Sequence, residues 1–211
     1  MVGKPLYDAN KNLLHDGKYG ISPFVFKKRS VKSSKNRVAG TMETNTIESV
    51  TKEVTRKMLL EHVIPAIKSK WHPSLCKNVF IQWGNARPHQ IPTDEEFQEA
   101  CTSDGFNIQM VFQLTLSLDL NVLDLGLFTS IQSIQYKSFP KNLDELNEKV
   151  NEAYALFDPK MNRNTWITLQ KCMTEIMCKN GGNNYPLPHM DKNRPVNQPE
   201  DQDTQIQVDA D

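Results

Sequence analysis

Apolar positions along this chain follow two periods. Short apolar or alternating runs predict strands. They are Tyr19–Phe26 (YGISPFVF), Asn78–Trp83 (NVFIQW) and Phe106–Phe112 (FNIQMVF). Pro23 interrupts the first and puts it at a sheet edge. Helical spacing links Ile47, Val50, Val54 and Met58, then Leu60, Val63, Ile64 and Ile67. Pro65 inside the second set predicts a break or kink. Between the second and third strands, Thr93 with Glu96 reads as a capping box opening the helix TDEEFQEA. Strand, helix and strand in that order predict a parallel pair with a crossover. Leu123, Leu127, Ile131 and Ile134 mark a further helix. Asn142 with Glu145 caps the next, striped by Leu143, Leu146, Val150, Tyr154 and Phe157. Trp166, Leu169, Met173, Ile176 and Met177 mark the last. Such stripes are expected to face a core.

The remaining segments are polar. Residues 1–18 are rich in turn formers. Lys27–Arg37 (KKRSVKSSKNR) carries Lys27, Lys28, Arg29, Lys32, Lys35 and Arg37 and no acid, and reads as an exposed loop. It is either a solvated loop or a loop that contacts phosphates. Residues 195–211 hold five acids and no base, and 193–211 is expected to be a disordered acidic tail.

At 211 residues the chain is long enough for one domain with a core. Its 25 basic and 25 acidic side chains cancel, which argues against strong non-specific nucleic-acid binding by the whole molecule. No run approaches the ~20 apolar residues of a membrane helix, so no membrane partner is expected. Cys76, Cys101, Cys172 and Cys178 fit no zinc spacing and read as reduced thiols. His62 and His72 stand alone, and His189 with Cys178 makes no zinc pattern.

Two positions bear on chemistry. Gly84 directly follows the strand VFIQW, and Asp124 opens the helix in LDLNVLDLG. Metal nucleases place carboxylates at a strand end and at a nearby helix start, where they converge on two divalent ions. Asp124 suits that role, with Asp119 as its neighbour and competitor. The ordinary reading of Asp124 is a helix-start or dipole residue, and that of Gly84 is a turn.

PAIKSKWHPSLCKNVFIQWGNARPH (Pro65–His89) resembles the second catalytic block of plant mariner-like transposases, P-A-I-K-x-K-W followed by I-x-I-Q-Q-D-N-A-R-P-H. LDLNVLDLGLFTSIQSIQYK (Leu118–Lys137) resembles their third block, S-P-D-x-N-V-L-D-L-G-F-F followed by A-I-Q-S-x-Q-Y. DGKYGISPFV (Asp16–Val25) and SSKNRVAGTMET (Ser33–Thr44) resemble F-x-G-K-I-G-I-W-P-F-V and S-K-N-R-x-x-G-T-x-E-T. LQKCMTEIM and NYPLPHM resemble the family's C-terminal end. The blocks keep their order over roughly residues 6–192. Thirty-nine residues separate Gly84 from Asp124, the interval the family keeps between its second and third catalytic Asp.

The resemblance implies an RNase-H-like α/β domain over 1–192, a mixed sheet flanked by helices and incomplete at its N-terminal side. It implies a DNA transposase ancestry, with Mg²⁺ or Mn²⁺ in the family and a nuclear location. Asp124 takes the third Asp position and the role of metal ligand, Gly84 is the degenerate second, and Asn85, Arg87 and His89 form the rim. The family's first Asp lies in a D-E-K-W-F block, and these 211 residues contain none. The family's Q-P-P-N-S-P-D has become QLTLSLD (Gln113–Asp119), without its three prolines. The expected function is that of a degenerate transposase fragment without catalysis, with DNA, bound weakly and non-specifically, and an intact transposase as the expected partners. The alternative is a domesticated DNA- or protein-binding module.

Overall fold

The computed structural model describes residues 1–33, 35, 38–115, 117–136, 138–182 and 184–186. Arg37 and the acidic tail lie outside the described residues. Within residues 1–18, expected only as turns, β1 (Leu6–Tyr7) and β2 (Leu13–His15) form a short antiparallel hairpin. The Asp8 carboxylate closes it by accepting from the backbone N–H groups of Asn10 and Asn12 at 2.9 and 2.7 Å.

β3 (Val25–Arg29) begins after Pro23 and pairs antiparallel with β4 (Met42–Thr46), from Val25↔Thr46 to Arg29↔Met42. This corrects the expected loop: Lys27, Lys28 and Arg29 are strand residues. Backbone pairing does not depend on side-chain polarity, and exposed lysines are tolerated on an edge strand.

The helical run starts later than the spacing implies. Thr51 accepts from the Val54 N–H and caps α1 (Lys52–Met58), so Ile47 and Val50 precede it. Pro65 does not break the run. It has no N–H to offer the Glu61 carbonyl, and the helix widens into one π turn, Leu59–Val63, with the Ile64 N–H on the Leu59 carbonyl. Helix α2 (Ile64–Lys70) then continues.

β5 (Asn78–Trp83) and β6 (Asn107–Phe112) are parallel and joined through α3 (Glu95–Thr102), as expected. The cap of α3 is Asp94, one residue past Thr93: its carboxylate accepts from the Phe97 N–H at 3.1 Å. Glu96 does not reach back to complete a box. It joins Asp94 on the Arg56 guanidinium, which therefore ties α3 to α1. Arg56 holds the Asp94 carboxyl well below the usual carboxylate range. Leu59, Val63, Ile64 and Ile67 pack with Val79, Phe97, Cys101, Phe106 and Ile108 in a first core.

A second core gathers Leu127, Ile131, Ala153, Tyr154 and Phe157. It is built from a π turn (Leu123–Leu127) leading into α4 (Phe128–Gln135), and from α5 (Leu143–Leu156), capped by Asn142 through Glu145 as expected. Helix α6 (Pro159–Cys178) buries the expected stripe in part, with Leu169 buried and Trp166 and Ile176 half-buried. Asn162, Leu169 and Cys172 face inward, while Met173 and Met177 are 43% and 47% exposed. Gly126 sets this register, because a Cβ there would lie 2.6 Å from the Thr165 hydroxyl and force the two helices apart.

The α/β class is therefore observed. Among the described residues the strands form three separate two-stranded ladders, two antiparallel and one parallel, in place of one continuous mixed sheet. All four cysteines are free thiols. No described helix is long and apolar enough to cross a membrane.

Leu59 is fully buried at the centre of the first core. Leu59→Ala is expected to cost about 3 kcal/mol of unfolding free energy by urea titration. Asp94→Ala should lower the urea midpoint where Thr93→Ala leaves it unchanged. The Asp94 carboxyl is depressed in the folded state, so its stabilising contribution is complete at neutral pH. It disappears as acid protonates the group, and the two midpoints should converge at low pH.

Candidate functional site

The carboxyl ends of β5 and β6 are tied to the segment that leads into the Asp124 helix. The Gln113 N–H donates to the Trp83 carbonyl at 2.9 Å. The Gln82 amide donates to the Leu120 carbonyl at 2.9 Å, and the Gln113 amide to the Ser117 carbonyl at 2.8 Å. These bonds anchor a short 3₁₀ turn, Leu118–Leu120, at the ends of the parallel strands. Gly84 and the start of the Asp124 helix are thus brought to the same end of the ladder.

Asp124 is exposed in the first turn of its helix. Asn121 organises that start: its Oδ1 accepts from the Leu123 N–H at 3.0 Å, and its Nδ2 donates to Asp124 Oδ2 at 2.7 Å. The carboxylate therefore has the helix-start role of the ordinary reading. Asp119 sits in the turn before it. Its charge reaches Cys172 on α6, whose thiol is pushed up first by burial and then by Asp119.

Gly84 is more than a missing side chain. The His89 ring folds back over it, with Nδ1 2.9 Å from the Gly84 carbonyl oxygen, and stacks obliquely on Trp83 with centroids 4.9 Å apart. A Cβ on residue 84 would lie 2.9 Å from Nδ1 and 3.3 Å from Cε1 of that ring. His89 therefore occupies the space that a carboxylate at 84 would need. The sequence places His89 on the rim but gives no sign of this inward fold. Asn85 and Arg87 are exposed on the same loop. Arg87 faces a shallow open cleft of about 410 Å³, shared with Thr51, Lys52 and Glu53 at the start of α1.

This donor set does not fit a pair of divalent ions. Gly84 offers no side chain, His89 Nδ1 is engaged by a carbonyl, and Asp124 is one carboxylate already bonded to an amide. Among the described residues no group of three or more His, Cys, Asp or Glu could hold a metal. Mg²⁺ dehydrates reluctantly and needs charge and octahedral geometry together.

The basic residues are also arranged differently from a single loop. Strand alternation puts Lys27 and Arg29 on one face of the hairpin and Phe26 and Lys28 on the other. Lys28 lies opposite Glu43 across the ladder. The Thr44 hydroxyl, opposite Lys27, donates to the Asp144 carboxylate of α5 at 2.5 Å. Lys32 and Lys35 lie beyond the strand, exposed. The hairpin is basic on both faces, and α5 brings an acidic helix start to one of them.

No protein-family model, curated protein or solved structure matches this chain.

The His89–Trp83 contact gives a direct readout. Gly84→Ala should push the ring away and raise tryptophan fluorescence by relieving its contact with Trp83. His89→Ala should produce the same rise. The double variant should match His89→Ala alone, since both changes act through one ring.

Proposed function

We propose that this chain is a catalytically degenerate part of a plant mariner-like transposase catalytic domain, RNase-H-like in ancestry, retaining weak contact with DNA. The observation that carries this reading is the pairing of Gly84 and Asp124. One follows a parallel strand, the other opens the helix after the neighbouring strand, and the interval between them is the family's. The order of the resembling blocks supports it. So does the sequence of elements, an antiparallel hairpin followed by helix, strand, helix and strand. A protein of this ancestry acts in the nucleus.

Catalysis by such a domain needs carboxylates that fix two metal ions around the scissile phosphate. Here the second is Gly84, with His89 in its place, and the first has no counterpart in these 211 residues. What remains is electrostatic. Lys27, Lys28, Arg29, Lys32 and Lys35 project from one hairpin and can contact phosphate oxygens, which position a protein on DNA without reading bases. A second reading, a domesticated binding module, is favoured by the same hairpin together with ladder edges that no other described strand pairs. A soluble, monodisperse and expressed protein would favour it.

Two outcomes are expected. Binding to duplex DNA should be sequence-independent, no tighter than about 10⁻⁶ M at physiological salt, and should weaken steeply as salt rises. Neutralising the five hairpin cations should abolish it in a mobility-shift titration. A sequence preference that persists at high salt would contradict the proposal. With Mg²⁺ or Mn²⁺ and DNA bearing mariner-type ends, neither the native chain nor Gly84→Asp should cleave. Cleavage lost on Asp124→Asn would overturn the degenerate assignment.

A further inference from the structure

We propose that the loop between α4 and α5 stacks on the bases of single-stranded DNA through Tyr136 and Phe139. Two observations on separate elements meet at this loop. The first is aromatic exposure. Tyr136 is 78% and Phe139 91% exposed, and Phe139 is the most exposed large apolar side chain among the described residues. A single apolar side chain at a surface is ordinary, whereas two aromatic rings within one short turn form a contact surface. The loop is fixed at both ends. The Gln135 carbonyl accepts from the Ser138 N–H and from its hydroxyl, each at 2.8 Å. At the other end the Lys141 N–H donates to the Glu145 carboxylate at 2.7 Å, and Asn142 caps α5. Phe139 precedes Pro140, which confines its backbone to extended conformations. Less freedom is therefore lost when a base lands on either ring.

The second observation is the basic hairpin. Thr44 lies opposite Lys27 in the β3–β4 ladder, and its hydroxyl donates to Asp144 in the first turn of α5. That bond joins the ladder carrying Lys27 to the helix into which the loop leads, and exposed Lys141 stands just before the cap. The nearby carboxylates are engaged: Asp144 accepts from Thr44, and Glu145 from the Lys141 N–H and the Asn142 amide. Ring faces and cations thus share one side of the fold, and the cations favour a polyanion over an apolar protein partner. The chemistry also selects the strand state. Stacked bases in a duplex offer their edges in the grooves, whereas a single strand exposes ring faces on which aromatic side chains stack without regard to sequence. The inference rests on the DNA reading above and adds the strand state preferred and the residues that carry the preference.

The experiment is fluorescence anisotropy of the full-length chain with a labelled oligo-dT of about 20 nucleotides and a duplex of the same length. The native chain should bind the single strand at least about fivefold more tightly than the duplex. Phe139→Ala and Tyr136→Ala should each erase most of that margin and leave duplex affinity unchanged, and Phe139→Trp should keep it. Neutralising the five hairpin cations should abolish duplex binding and weaken binding of oligo-dT. Equal affinity for the two strand states would overturn the proposal, as would a single-strand affinity that ignores both alanine substitutions. No duplex binding, with oligo-dT binding still lost on Phe139→Ala, would refute the hairpin reading and support the loop. Self-association in DNA-free sedimentation that disappears in Phe139→Ala would assign the rings to a second copy and overturn the proposal.

Discussion

Two side chains on the C-terminal helices hold the first twenty residues in place, and the two cores are joined through that segment. Asn162, fully buried on α6, donates from Nδ2 to the carbonyls of Gly3 and Asp16 at 3.1 and 3.0 Å. The Tyr154 hydroxyl on α5 donates to the Met1 carbonyl at 2.5 Å and accepts from the Gly20 N–H at 3.1 Å. Burial raises the Tyr154 pKa well above its ordinary value, keeping the hydroxyl protonated as a donor. Lys18 adds bonds to the carbonyls of Ala155 and Phe157. Held this way, Tyr19 enters the first core, while Val2 and Ile21 pack against the second. Backbone groups that would be costly to bury unpaired are satisfied by these few donors.

The same economy separates scaffold from chemistry. The parallel ladder, its crossover helix and the anchored turn at Leu118–Leu120 depend on apolar burial and backbone bonds. None of them requires a carboxylate at 84. With glycine at 84 the strand end is intact, and His89 rests on Trp83 and the Gly84 carbonyl. Packing is distributed over many residues and metal binding over very few, so on the proposed reading the fold can persist without the site.

Local signals were legible in the sequence where one element decided the outcome. The alternation in β6, the apolar run of β5 and the Asn142–Glu145 cap all appear where their patterns put them. Gly84 follows a strand and Asp124 lies in a helix start, as their local patterns put them. Local pattern is silent where a partner element decides. Asp94 displaces Thr93 as cap because Arg56, distant in sequence, holds its carboxylate. Lys27–Arg29 become strand because β4 supplies a ladder. The buried face of α6 turns toward Asn162 and Cys172 because Gly126 admits Thr165. Pro65 is absorbed by a π turn that no apolar period encodes. The inward fold of His89 depends on the absence of a side chain five residues earlier, which a rim motif does not express.

The proposed ancestry entails that the strand end at Gly84 and Asp124 holds no pair of divalent ions. Mn²⁺ titration of the native chain, followed by electron paramagnetic resonance of the free ion, tests it most directly. No saturable binding is expected below millimolar Mn²⁺, and native protein and Asp124→Asn should give the same curve. Saturable binding of two ions per chain, lost in Asp124→Asn, would contradict it.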